Sequence, residues 1–319
     1  MSPKKRIPEP VDLHQVKRYS CAGRPTRTKI NRFGSPLKKN SGAGFFESLP
    51  GYLKASDLNE FIALVARARR DDCPFHLLLG AHTIKVGLSP IIIDLMQRRI
   101  VTGLSFNSAG LIHDLELAFH GETSEDVQTG LQDGSFGMVV ETARMYAAVC
   151  ELADTSGIGL GEAAGVFINS GKAKYRNYSL FAAADRLGLP ATVHLSVGTD
   201  TVAQHPDFDA ALAAAASHLD FRILARICQA IDRGGVLANI GSAVILPEVF
   251  LKALTVARNL KKGKSRLTTA NFDMIIHYRP MVNVVTRPTV KAGRGFNFVG
   301  HHEIMIPLLA WGLKRSCNL

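Results

Sequence analysis

The stretch Asn107-Ser-Ala-Gly-Leu-Ile-His-Asp-Leu-Glu116 holds the densest chemistry in the chain. It follows a β-branched run, Ile100-Val-Thr-Gly-Leu-Ser-Phe106, and opens a helix with three small residues, Ser108, Ala109 and Gly110. Where a strand passes directly into a helix through such residues, helix N–H groups are unpaired and nothing bulky keeps an anion away. That geometry suits a nucleotide phosphate, with Asn107 at the junction. His113 and Asp114 follow, placed for amide, ribose or proton contacts; an aspartate favoured by the helix dipole is the plainer account of Asp114. Two further strand-like runs end in a comparable way, Thr192-Val-His-Leu-Ser-Val-Gly-Thr-Asp200 and Val236-Leu-Ala-Asn-Ile-Gly-Ser242, which puts Thr199, Asp200, Gly241 and Ser242 at similar exits.

Other side chains suit proton transfer or anion recognition. Asp200, after Gly198-Thr199, is either an amine partner or a turn cap. His205, beside Pro206, titrates near neutral pH. Lys85 precedes Gly87 in an otherwise apolar segment, fit for a phosphate or carboxylate or else an ordinary loop lysine. His277, Arg279 and Asn283 stand near strand exits, where a guanidinium fork can recognise a carboxylate or phosphate. Glu303, with His301 and His302, opens the last helix as a cap or a substrate contact. His113, Glu116 and His120 share one helical face, but the adjacent glutamate of His-Glu-x-x-His is missing, and no metal is expected.

The elements that must position these groups read as an alternation. Asp57–Arg70 has helical spacing, Phe75–Leu79 is a buried strand, and Ser89-Pro90 starts a helix to about Arg99. Residues 100–106 form the next strand and 109–120 the next helix. Gly121–Gly137 reads as a long polar loop holding Asp133-Gly-Ser135, followed by a helix to about Ala153, and a Gly-rich segment, 157–161, precedes a short helix. Helix 178–188 leads into strand 191–197, and helix 209–232 into strand 236–240. Helix 247–260, strands near 272–277 and 282–286, and a closing helix over 303–315 complete the series. Strands alternating with helices of this length imply a doubly wound, mainly parallel, Rossmann-like α/β sheet, with ligands beyond the carboxyl ends of the strands.

The 319 residues, 46% hydrophobic, are ample for a packed core. The longest apolar run, Ile304–Leu313, is too short for a membrane span, and the first forty residues lack the apolar core of a secretory signal. Five scattered cysteines with no CxxC pair fit free thiols in a reducing compartment, so a cytoplasmic protein is expected. The net charge of +11 is concentrated: residues 1–40 hold 11 of the 38 Lys and Arg and 2 of the 27 acids, leaving 27 basic against 25 acidic residues for the rest. With five prolines in that segment, residues 1–44 read as an extended basic arm, and residues 45–319 as one domain. Nucleic acid is not an expected partner of the domain; RNA or an acidic partner remains open for the arm.

The order of motifs over roughly residues 75–315 resembles the deoxyhypusine synthase-like family of NAD-binding proteins. Gly80-Ala-His-Thr-Ile-Lys-Val-Gly87 is similar to that family's first strand-exit loop, which implies that His82, Thr83 and Lys85 contact the dinucleotide. Asn107-Ser-Ala-Gly110 is similar to its Thr-Thr-Ala-Gly loop, and Asp133-Gly-Ser-Phe-Gly137 takes the place of its Asn-rich loop. Val197-Gly-Thr-Asp200 resembles Leu-Thr-Asp-Gly, whose aspartate faces the nicotinamide. Ile240-Gly-Ser-Ala-Val-Ile245 stands where the family has Gly-Gly-Gly-Val-Val-Lys, so Ile245 replaces the imine-forming lysine. His301-His-Glu-Ile-Met-Ile-Pro-Leu-Leu309 is similar to its closing Asp-Ala-Ser-Leu-Val-Phe-Pro-Leu-Leu. The Ser108–Glu116 stretch with Gly121 also resembles NAD-dependent ornithine cyclodeaminases of the archaeal bifunctional type.

Both resemblances imply NAD as cofactor and oxidation of an amine-bearing carbon in a small amine or amino acid, the imine then being transferred, hydrolysed or cyclised. They imply Asp200, His205 and His113 as proton-handling groups; the first implies a homotetramer. A non-catalytic NAD-responsive binding protein is the alternative that Ile245 leaves open, and a hydrolase using the histidines without NAD is a third.

Overall fold

The computed structural model describes residues 44–260 and 266–318, so the expected arm, 1–44, lies outside the described residues apart from Gly44. The chain falls into two compact units, 1–53 and 54–319. In the first, α1 (Phe45–Ser48) is described. The second begins within α2 (Leu53–Arg70) and carries the sheet.

Six strands follow in chain order: β1 (Phe75–Leu79), β2 (Gly103–Asn107), β3 (Ala191–His194), β4 (Val236–Ile240), β5 (Thr268–Asp273) and β6 (Arg294–Val299). All pair in parallel, in the spatial order β3-β2-β1-β4-β5-β6. The chain winds outward from β1 to β3, crosses back, and winds the other way from β4 to β6, which makes β1/β4 the topological switch point. This is the doubly wound Rossmann-like α/β fold that the alternation implied. The connecting helices are α3 (His82–Lys85), α4 (Ser89–Gln97), α5 (Ser108–His120), α6 (Val127–Asp133), α7 (Val140–Ser156), α8 (Leu160–Ser170), α9 (Leu180–Leu187), α10 (Ala210–Ile231), α11 (Ile245–Leu260), α12 (Tyr278–Pro280) and α13 (His302–Ser316).

Helices cover both faces. On one, Phe61 of α2 lies 6.2 Å from Phe75, 5.8 Å from Phe272, 5.7 Å from Phe296 and 6.0 Å from Phe298, centroid to centroid. On the other, Leu78 and Leu237 pack with Leu224 and Cys228 of α10 and Leu246 and Phe250 of α11. That second face also carries a buried polar row. Nε2 of His76 bonds Ser105 at 2.8 Å, Ser105 bonds Thr192 at 2.6 Å, and Thr192 bonds His194 at 3.0 Å. In the same register Asn239 donates to Asn271 and Asn271 to Asn297, both at 2.8 Å. Burial pushes His76 and His194 down to about 3, so both rings are neutral, as a water-excluded layer requires.

Several sequence expectations are corrected. Residues 282–286 are not a strand: Met281–Thr286 is a π-helical turn in which Thr286 Oγ1 donates to Met281 O, and the sixth strand is Arg294–Val299. A short run of valines has no periodicity of its own, and Pro280 and Pro288 steer it into helical turns. The polar loop 121–137 contains α6, whose N-terminus Asp126 caps through Gln128 N and Thr129 N. The strand expected over 272–277 is Thr268–Asp273, and that expected over 191–197 stops at His194.

Candidate functional site

Three strand exits build one cavity. After β1, Gly80 N donates to Ile240 O at 2.9 Å and the chain turns at once into α3, which ends on the exposed Lys85. After β2 there is no loop: Asn107 is the last strand residue and caps α5, its Oδ1 accepting from Gly110 N at 3.3 Å. After β3, residues 195–200 turn through Gly198 (φ 84°), with Thr199 Oγ1 donating to Ser196 O at 2.8 Å, and deliver Asp200 back against α5.

The cavity holds about 200 Å³, or about 640 Å³ counting its mouth. Lys85 comes from the first exit, Ala109, Ile112, His113 and Glu116 from one face of α5, and Thr199, Asp200 and Thr201 from the third. Ser124, Glu125, Val127 and Phe136 close the remaining side from the α6 segment. No buried residue anchors α6, but Gly137 N donates to Glu125 Oε2 at 2.9 Å.

Asp200 is 7% exposed and accepts a hydrogen bond from Ser108 Oγ. Burial pushes its carboxyl up, against the pull of that bond, which moves a carboxylate towards the range useful for general-base work. Across the cavity, Thr123 Oγ1 donates to Glu116 at 2.5 Å and Thr142 Oγ1 donates to it at 2.8 Å. Burial raises Glu116, but His113, whose Nδ1 lies 3.7 Å away, and the bonds from Thr123 and Thr142 together hold it below the usual carboxylate range, so it stays an anion. Thr123 gives its one proton to Glu116, hence His113 Nδ1, 2.6 Å away, donates to Thr123. One cation, Lys85, three carboxylates, Glu116, Glu125 and Asp200, the His113 imidazole and the first turn of α5 therefore face a common space.

The sequence-derived residues divide. Asp200, His113, Lys85, Ala109 and Thr199 line the cavity, and Asn107, Ser108 and Gly110 form the junction beneath it. The others do not line it. His205 sits beyond the 3-10 turn Thr201–Gln204 and donates from Nε2 to Gly137 O at 2.7 Å. Asp114 is fully buried and holds α9, accepting from Ser179 Oγ at 2.5 Å and Leu180 N at 2.9 Å; burial raises it to about 6 despite those bonds. Thr83 Oγ1 is spent on Gly80 O at 2.8 Å, and Ser242 Oγ accepts from Leu246 N at 3.3 Å in the first turn of α11. Gly241 (φ 69°) lies under His302, whose Cε1 is 2.9 Å from where a Cβ would stand, and the His82 ring meets His302 at 5.4 Å. Asp133 Oδ1 accepts from Ser135 N at 3.0 Å in its own turn. The β4 exit thus faces a histidine pair and not the cavity.

The expected substrate residues lie away from the cavity, Asn283 buried and Arg279 and Glu303 exposed. Arg279 lies 3.2 Å from Glu248, Asn283 donates to Glu248 at 2.8 Å and accepts from Arg287 at 2.9 Å, His277 stands 3.9 Å from Asp273, and Glu303 3.7 Å from His301. Through Glu248, Arg279 and Asn283 tie α11 to α12 and the π-helical turn. The wall residues Glu125, Val127 and Phe136 escaped the sequence reading; Asp126 with Thr129, a cap three residues before a partner, was the available signal. Among the described residues, no group of three or more His, Cys, Asp or Glu is placed to hold a metal, and no helix is long and apolar enough to cross a membrane.

Comparison with known proteins adds the fold. No protein-family model matches the chain, and no curated protein matches it. Among solved structures, the ternary complex of AgrE with ornithine and NAD+ is similar at 14% identity and TM-score 0.50, over 85% of this chain and 34% of that one. The conserved putative LOR/SDH protein from Methanococcus maripaludis S2 is similar at 14% identity and TM-score 0.49, covering 83% of this chain and 70% of that one. A putative deoxyhypusine synthase from Entamoeba histolytica has 10% identity and TM-score 0.46, covering 82% and 87%. The likeness shows a fold. Its neighbours include, at that level, the deoxyhypusine synthase-like proteins that the motifs resemble, and the chain spans about a third of the AgrE length.

Proposed function

We propose that this chain is an NAD-dependent enzyme that oxidises the amine-bearing carbon of a small amine or amino acid in the cavity between α5, Lys85 and Asp200. The observation that carries the reading is the convergence of three strand exits on one space holding Asp200, His113, Glu116 and Lys85. The similar AgrE fold was solved with ornithine and NAD+, which supports the cofactor and the amine class.

The residues present fit such a pair. NAD, when bound, supplies a hydride acceptor. The first turn of α5 begins on Ser108 and Ala109 with no bulky side chain, and its dipole favours an anion. About 200 Å³ accommodates the reacting end of a substrate and not a whole dinucleotide, whose remainder would lie in the open mouth. Glu116, held as an anion, would pair with an ammonium group, and Lys85 with a carboxylate or phosphate. Asp200, with its carboxyl raised, would take the proton from the amine. Ile245 opens α11, and Lys252 is paired with Glu248 on its surface, so neither replaces an imine-forming lysine in the cavity. The reading therefore favours an imine released to water or cyclised over one captured by the enzyme. It includes a homotetramer in the cytoplasm. The exposed Ile275, Ile276, Tyr278, Val299 and Ile304, at the adjoining ends of β5, β6 and α13, are the surface such an assembly would cover.

The test is to extract nucleotide from purified full-length protein for mass spectrometry and to follow thermal unfolding with added NAD. NAD recovered, or a stabilisation approaching about 2.7 kcal/mol at a hundredfold excess over Kd, supports the reading. Neither nucleotide nor a shift overturns it.

A further inference from the structure

At the amino ends of β4, β5 and β6, the end of the sheet opposite the cavity already described, a second cavity of about 430 Å³ opens against the last turns of α2. Backbone bonds set the strand starts side by side: Arg266 N donates to Asp232 O at 3.2 Å, Thr268 N to Gly235 O at 3.0 Å and Arg294 N to Leu267 O at 3.1 Å. Four arginines line the space, Arg67 from α2 and Arg233, Arg266 and Arg294 from the strand starts, against one carboxylate, Asp71. Two of the four are occupied. Arg294 forks onto Glu60, Nε to Oε1 at 2.8 Å and a terminal nitrogen to Oε2 at 2.6 Å, and Arg67 lies 3.5 Å from Asp71. Among the described residues, no side chain or carbonyl pairs with the guanidinium of Arg233 or of Arg266. Thr268 is 6% exposed, and the alternation along β5 sets it on the α2 face with Ala270 and Phe272, where it forms the floor. Its hydroxyl has no hydrogen-bond partner among the described residues either. A Cβ on Gly234 would meet only Cys73 Sγ, 3.8 Å away, so the space beside the floor is open.

We propose that this cavity is a second binding site, for a small organic molecule carrying a phosphoryl dianion, with the Arg233 and Arg266 guanidiniums as its charged partners and Thr268 Oγ1 as a donor on the floor. Charge balance sets the class. Residues 41–319 hold 27 basic and 25 acidic side chains, so two uncompensated guanidiniums in one cavity are not the overflow of a generally basic surface. With Arg67 offset by Asp71 and Arg294 by Glu60, the excess is the two charges of Arg233 and Arg266. A guanidinium fork matches phosphoryl oxygens two at a time, and two forks balance a dianion. A free phosphate ion would leave most of the space unfilled. Leu64, Ala68 and Ala292 line the remainder with apolar surface, which suits the organic body of the ligand. The site shares no residue with the cavity of the proposed function and takes nothing from that reading.

The test is equilibrium dialysis of the full-length protein against phenyl phosphate and against inorganic phosphate, in chloride buffer well above the second phosphate ionisation at about pH 6. Phenyl phosphate is expected to bind at one site per chain and more tightly than inorganic phosphate. Arg233 and Arg266 are exposed, so their variants keep the fold. R233A and R266A each raise Kd about tenfold or more, and the double variant abolishes binding. R233K/R266K, which keeps the charge and loses the fork, lies between, and T268V weakens binding. R222A/R226A removes the same charge from exposed positions on α10 and leaves binding unchanged, as does K85A in the other cavity. No binding, binding that survives R233A/R266A, or a loss as large in R222A/R226A overturns the proposal. Equal affinity for the two phosphates overturns it as well, as does a short single-stranded RNA that binds through Arg233 and Arg266 where phenyl phosphate does not. Absence of NAD binding would defeat the functional reading and leave this site to stand or fall on the dialysis.

Discussion

Asp200 and Asp114 are two buried carboxylates with opposite assignments, and single substitutions separate them. D200N keeps the volume and removes the base, so turnover of an amine, followed by NADH absorbance, is expected to fall about a hundredfold or more while NAD affinity changes little. Because burial raises the Asp200 carboxyl, the parent rate climbs with pH as the base form appears. D114N should instead cost about 1–3 kcal/mol of stability in chemical denaturation, since it disturbs the bonds from Ser179, Leu180 and Phe181, and should leave NAD affinity alone. The same pair shows what was legible. His113 and Asp114 are neighbours in sequence, but about 100° apart on a helix they face different elements, one the cavity and the other α9. The small residues 107–110, Lys85, Thr199 and Asp200 could be read because they stand at strand exits. Thr83, Ser242 and His277 stand at exits too, and there only side-chain direction, which residue type does not encode, decides the outcome.

At the scale of elements, the switch point depends on close backbone contact between the exits of β1 and β4. A Cβ on Gly80 would stand 2.1 Å from Gly241 O, an atom that cannot move aside. Gly80→Ala is therefore expected to cost about 3 kcal/mol or more, read as a lower denaturation midpoint with unchanged slope. On the opposite side of the sheet, Phe61→Ala removes the ring shared by β1, β5 and β6 and should cost about 3–5 kcal/mol. β1 and β4 were readable to the residue, since buried parallel strands are continuous apolar runs bounded by glycine and proline. β6 was not, because Gly293 and Gly295 interrupt its pattern while the nearby valines mimic a strand. Those glycines serve packing: a Cβ on Gly295 would stand 2.0 Å from Val285 O in the π-helical turn. α6 was hidden by its polarity, having no buried residue to set a period.

For the molecule as a whole, buried titrating groups tilt stability in opposite directions. His76 has a folded pKa of about 3, below its ordinary 6.5, so its contribution is present above pH 6.5 and is lost as pH falls towards 3. Asp220 of α10 accepts from Gly161 N at 2.9 Å and Val193 N at 2.7 Å, and burial raises it from 3.8 to about 7; its contribution is present below pH 3.8 and is lost as pH rises to about 7. Between pH 4.5 and 6 the variant His76→Gln should thus lose a rising slope of about 1.4 kcal/mol per pH unit, and Asp220→Asn a falling one of the same size, in paired denaturation series. Where NAD binds is read out by hydrogen–deuterium exchange with and without the nucleotide. Protection is expected to concentrate in 80–87, 107–113 and 197–201, the three exits that wall the cavity. Protection confined to the β4–β6 exits and the first turn of α13, or none at saturating NAD, would contradict it.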